Sequence, residues 1–237
     1  MTASSRTSRT SRTCAPEHAP VPARRPARAR TWLAAACAAA LLGACASKAP
    51  PPSWQPDAKS SLDGFLDAWL HGDTLAADAE FARARRATAA TGRFDLVAQA
   101  ELVRCAARVA ALDYDCPGYA ALADEATAAQ RAYAAYLDGR WQGLDARLLP
   151  EQHRAVVASG SLAGVADPLA RLAAAGALLK AGRITPADIA AAVDTASEQG
   201  WRRPLLVWLG VQEGRAQVDG DAQAVEQIRR RRILVGG

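Results

Sequence analysis

Histidine is nearly missing from this chain, with three residues in 237. His18 falls in a basic stretch near the start, which leaves His71 and His153 beyond it. A zinc site takes three or four ligands, more than two histidines supply, so each is read as a solvated surface residue at a helix edge and no metal is expected. The local signatures of several enzyme classes are also absent. There is no Gly-x-Ser-x-Gly elbow, no Gly-x-x-x-x-Gly-Lys phosphate loop and no His-Glu-x-x-His pair. No catalytic residue and no cofactor is therefore assigned. β-Branched residues are sparse and do not alternate, which argues against a sheet. The apolar run Trp32 to Leu42 falls well short of the roughly 20 residues a spanning helix needs.

That run has a different use. Arg24, Arg25, Arg28 and Arg30 precede it, and small residues close it. A basic start, a short apolar core and a small-residue cleavage site make a secretory leader. The closing segment Leu42-Gly43-Ala44-Cys45 resembles the lipobox of bacterial lipoproteins. The resemblance implies cleavage before Cys45, a diacylglyceryl thioether on its sulfur and acylation of the new amino group. It makes residues 1–44 a signal peptide and gives the protein a lipid anchor in the membrane. Two or more acyl chains anchor stably, at about 0.8 kcal/mol per buried CH₂. Ala46, where an inner-membrane retention signal would place Asp, points by the same analogy to the outer membrane, with the body in the periplasm.

Removing the leader changes the charge. The whole chain carries +5, but residues 1–44 hold seven Arg and one Glu. The remainder has 22 basic and 23 acidic residues, a net charge of −1. Nucleic-acid binding depends on a persistent basic surface, so no nucleic-acid partner is expected.

Residues 45–57 read as the lipidated cysteine and a flexible, disordered tether, extended by Pro50-Pro51-Pro52 and Pro56. Residues 58–237 read as one all-α domain, long enough for a real core. Alanine is abundant, and helix stops and starts recur. Asp57 and Asp73 stand as N-caps, and Gly72, Gly92 and Gly139 as the residues that end helices. Thr185-Pro186-Ala187-Asp188 and Asp167-Pro168 open two more. Helices are expected near 58–71, 74–91, 94–112, 118–138, 150–159, 167–181, 186–199, 204–218 and 221–233. Tyr119, Leu122, Ala126, Ala129, Tyr133 and Tyr136 form an apolar stripe at helical spacing. Residues 139–143 are a candidate division between two halves. Gly-polar hinges at Gly92-Arg93, Gly182-Arg183 and Gly220-Asp221 resemble the turns of tetratricopeptide-type hairpins. The fold expected is an irregular stack of antiparallel helical hairpins.

Cys105 and Cys116 are the even pair left for an oxidising compartment. On one continuous helix they would stand about three turns apart, too far to bond. A break between Asp113 and Gly118 would bring them together, and a structural disulfide is expected. Arg229-Arg230-Arg231-Arg232 is the strongest charge run. It either complements the C-terminal dipole of its helix or contacts an acidic partner or anionic lipid headgroups. Trp141, flanked by Gly139 and Gly143, is either an interface anchor or the apolar contact of a helix end. Asp124-Glu125 reads as solvated surface. Together these features lead to a non-enzymatic adaptor or assembly accessory with an envelope protein partner. The alternatives are an envelope enzyme acting on cell-wall glycan and a lipid or small-ligand binding protein.

Overall fold

A computed structural model describes residues 51–237, which form one compact unit. The leader, Cys45 and residues 46–50 of the tether lie outside the described residues. The fold is all-helical: α1 (Trp54–His71), α2 (Thr74–Ala89), α3 (Phe94–Ala110), α4 (Pro117–Ala120), α5 (Ala128–Leu137), α6 (Glu151–Ser159), α7 (Pro168–Lys180), α8 (Pro186–Glu198), α9 (Arg202–Val218) and α10 (Ala222–Gly236). One 3₁₀ turn, Ala146–Leu148, precedes α6. No described helix is long and apolar enough to cross a membrane.

The helix ends follow from local chemistry. Gly72 (φ 97°) and Gly220 (φ 75°) take the left-handed conformation that a side chain resists. The amides of Asp73 and Asp221 then bond back to Ala68 and Ala216. The same two aspartates cap α2 and α10 by accepting from Ala76 and Ala224. A two-residue Gly-Asp hinge thus closes one helix and opens the next, which forces an antiparallel hairpin. Asp167 accepts from the Ala170 amide at 2.7 Å, and Thr185 and Asp188 form a reciprocal capping box.

Three expectations from the sequence need correction. First, α1 begins at Trp54, so Asp57 lies in its first turn rather than capping it, and the tether ends earlier. Pro56 is tolerated there because a first-turn amide has no intrahelical acceptor to lose. Second, the 118–138 helix is two helices, broken over residues 121–127. Thr127 starts α5 with a capping box to Gln130, which leaves Ala129 exposed, off the expected stripe. Third, no division falls at residues 139–143; the described chain is one unit.

The hairpins stack with α3 at the centre. It packs against α1, α2, α5 and α7. Ten of its residues are buried. Ala100 and Ala107 join Phe65, Trp69 and Phe81 in a core shared with the first hairpin. Ala98, Leu102 and Val109 join Leu172, Leu178, Trp208 and Leu209 in the main core. Small residues are needed on such a helix because neighbours approach from opposite sides. Backbone meets backbone closely at Gly176 of α7, where an added Cβ would run into the Val109 carbonyl oxygen.

Successive hairpins repeat their direction. Gln130, early in α5, donates to the Asp95 carbonyl early in α3, while Leu137 and Val109, late in both, share a cleft. Val109 likewise meets Gly176, while Leu102 and Leu169 lie together further back. Thus α3, α5 and α7 run side by side in the same sense, as first helices of stacked hairpins do.

Gly176→Ala should lower stability by about 2–3 kcal/mol or more, since backbone cannot move aside as a flexible side chain can. The shift of the urea midpoint measures it; Gly214→Ala, where an added Cβ has open space, is the control.

Candidate functional site

An apolar groove beside α3 has a volume of about 530 Å³. Its floor comes from α3 and α7, through Leu102, Ala106, Leu169 and Ala173. Its walls come from the start of α5 and from residues 148–153. Gln99, Gln130 and Gln152 bring neutral amides to it. Gln130 is held in place twice: its amide nitrogen donates to Asp95 at 2.8 Å, and its oxygen accepts from the Thr127 amide at 3.0 Å. Gln99 and Gln152 are exposed. The carboxylate in the lining, Asp167, caps α7. Apolar floor plus amide rim offers shape and hydrogen bonds to an uncharged chain, the chemistry of a segment-binding groove.

His153 stands at the edge of this groove, and its environment corrects the sequence reading. It is 1 % exposed, not solvated. Its Nδ1 lies 3.2 Å from the Tyr136 hydroxyl, and its ring packs 4.9 Å from Tyr136 and 5.4 Å from Tyr133. Burial pushes its pKa down to about 4, opposed in part by the Asp167 charge. Burial also raises both tyrosines, with charge repulsion adding to it. The other histidine, His71, is exposed, as expected, and its Nδ1 lies 2.8 Å from the Asp67 carbonyl oxygen.

The remaining sequence-selected residues separate into different places. Cys105 and Cys116 form a disulfide with Cα atoms 5.6 Å apart, within normal bridging range. The reversal that brings them together is made at Leu112 (φ 60°), among the described residues the one non-glycine with positive φ. Trp141 folds back: its indole donates to the Tyr136 carbonyl at 2.8 Å and stacks on the Tyr136 ring at 5.3 Å. Arg183 covers its ring, 5.0 Å from the centroid. Of the two roles open to Trp141, the apolar contact at a helix end is the one the geometry contains.

The arginine run also divides. Arg229 and Arg232 clamp Glu213 of α9 at 2.9 and 2.6 Å. The hydrogen bonds from Arg232 and Arg229 hold the Glu213 carboxyl below the usual carboxylate range. Arg230 and Arg231 make no ion pair among the described residues. Because α10 runs on to Gly236, none of these arginines falls in its last turn, and in place of the expected dipole role two of them make a cross-helix clamp that sequence spacing alone could not reveal. Asp124 and Glu125 are exposed, as expected, but in a turn. Arg85 of α2 pairs with buried Glu101 at 2.9 Å. Cys45 lies outside the described residues. Among the described residues no group of three or more His, Cys, Asp or Glu side chains is arranged to hold a metal ion. No family model, curated protein or solved structure matches the chain.

The groove's local stability should depend on acid. Between about pH 6.5 and 4 the unfolded chain protonates His153 and the folded chain does not, so stability falls as pH falls through that window. The contribution is about 3 kcal/mol at full shift. Urea unfolding across pH should show this slope in the wild type and a flatter one in His153→Gln.

Proposed function

We propose that the chain is a lipid-anchored lipoprotein of a bacterial outer membrane, with a periplasmic body that acts as a non-enzymatic adaptor. Its groove between α3, α5 and α7 holds an uncharged segment of an envelope protein partner. The anchor rests on Leu42-Gly43-Ala44-Cys45 and on the leader before it. Independent support for an oxidising compartment comes from the Cys105–Cys116 disulfide. The observation that carries the adaptor reading is the pairing of an apolar floor with the exposed amides of Gln99 and Gln152. Amides match the hydrogen-bonding groups of a peptide backbone, and the floor takes apolar side chains. Glycoside hydrolysis instead calls for two carboxylates flanking the scissile bond. In this groove Asp167 stands without a second acid and is committed to its helix.

A photo-cross-linking residue at Gln152 in intact cells tests the reading. The expected result is one reproducible adduct with an envelope protein. Leu148→Glu at the groove edge should remove it, and Cys45→Ser should weaken it by releasing the body from the membrane. Adducts no different from those of the same probe at exposed Glu226 would overturn the proposal.

A further inference from the structure

A second cleft lies on the adjoining face of α3 and has a volume of about 380 Å³. Its construction depends on the disulfide. After α3 the chain turns at Leu112, and the Cys105–Cys116 bond pins the start of α4 against α3. Pro117 and Tyr119 of α4 then face α5 across a gap lined by Leu102, Val109 and Leu137. This volume suits a small molecule rather than a polypeptide segment.

The cleft wall contains an unmet hydrogen bond. Tyr119 is 8 % exposed, and its hydroxyl oxygen is buried with no partner. Buried polar groups are paired in nearly all native proteins, so this hydroxyl has a hydrogen bond to give that the protein itself does not take up. Tyr114, by contrast, donates to the Gly176 carbonyl at 2.9 Å and is satisfied. Burial pushes the Tyr119 phenol up, so at neutral pH it remains a donor. Arg131 and Arg140 act on it in the opposite direction, because their charges make the local potential positive. Arg140 also lines the cleft. Its Nε donates to Asp138 at 2.7 Å, which leaves its terminal N–H groups for an incoming acceptor. The remaining acid of the lining, Asp115, stands 3.8 Å from Arg108.

We propose that this cleft binds a small amphiphilic carboxylate, with its hydrocarbon body against Leu102, Val109 and Leu137 and a carboxylate oxygen accepting from the Tyr119 hydroxyl. Arg140 supplies the compensating charge at the rim. The apolar lining sets a preference for a short acyl or aryl chain, and the Tyr119 hydroxyl together with the free N–H groups of Arg140 selects the acid over the matching alcohol. This site is separate from the segment-binding groove, so each can fail without the other.

Titration calorimetry with octanoate and 1-octanol on the full chain carrying Cys45→Ser tests the proposal. Octanoate should bind at one site and octanol about tenfold more weakly, the loss of one charge-assisted hydrogen bond. Tyr119→Phe should weaken octanoate by a similar factor while leaving the melting temperature of the free protein unchanged or higher, because it deletes an unpaired buried group. Arg140→Gln, at the exposed rim, should weaken octanoate without affecting octanol. The proposal is overturned by absence of octanoate binding, by equal binding of acid and alcohol, or by unchanged affinity in both variants.

Discussion

The last turn of α3 is the constraint on which the rest of the structure depends. The final carbonyls of any helix lack partners within it, and these are surrounded by core. The Ala107 carbonyl accepts from the Trp69 indole of α1 at 3.0 Å. The Ala110 carbonyl accepts from the Trp208 indole of α9, also at 3.0 Å. Between them, Arg108 and Val109 are satisfied by the amides of Ala111, Leu112 and Asp113 as the chain reverses. A buried carbonyl left unpaired would cost about 1–3 kcal/mol, so two distant tryptophans are held to one spot. Arg203 ties the same region together from α9, donating to the Trp69 carbonyl at 2.6 Å and covering its ring at 3.9 Å.

This fixed turn explains why both clefts sit beside α3. Val109 meets Gly176 without an intervening side chain, which sets α7 close and in register with α3. The disulfide starts from Cys105 on the same helix and determines where α4 stands. Leu102 then lines the amide-rimmed groove on one face and the Tyr119 cleft on the next. The first hairpin and the C-terminal hairpin contribute little directly to either surface. Their role is to keep α3 from moving, and the Arg229–Glu213–Arg232 clamp does the same for α9 against α10.

Much of the architecture was legible in local sequence. Gly-Asp and Thr-Pro-x-Asp segments mark helix boundaries because the causes of those boundaries are local. The cysteine pair was legible for a different reason: two thiols follow Cys45, and Pro117-Gly118 marks the break that lets the chain fold back between them. The failures all involve partners remote in sequence or signals with two meanings. Leu112 ends α3 in a conformation usually given to glycine, so no glycine marked the stop. The Thr127–Gln130 capping box was visible but lay inside a longer run of alanine that reads as continuous helix. His153 is buried by Tyr133 and Tyr136, which reach it only after the chain has turned through Trp141. Neither cleft has a linear motif, since each combines three or more segments that only the stack brings together.

Native-state hydrogen exchange over the helices tests the central role of α3 most directly. If its last turn holds the stack together, the amides from Leu102 to Ala110 exchange only through global unfolding, with the denaturant dependence of the whole body. Exchange of that segment by a smaller opening, while α7 and α9 stay protected, would contradict the account and place the structural centre elsewhere.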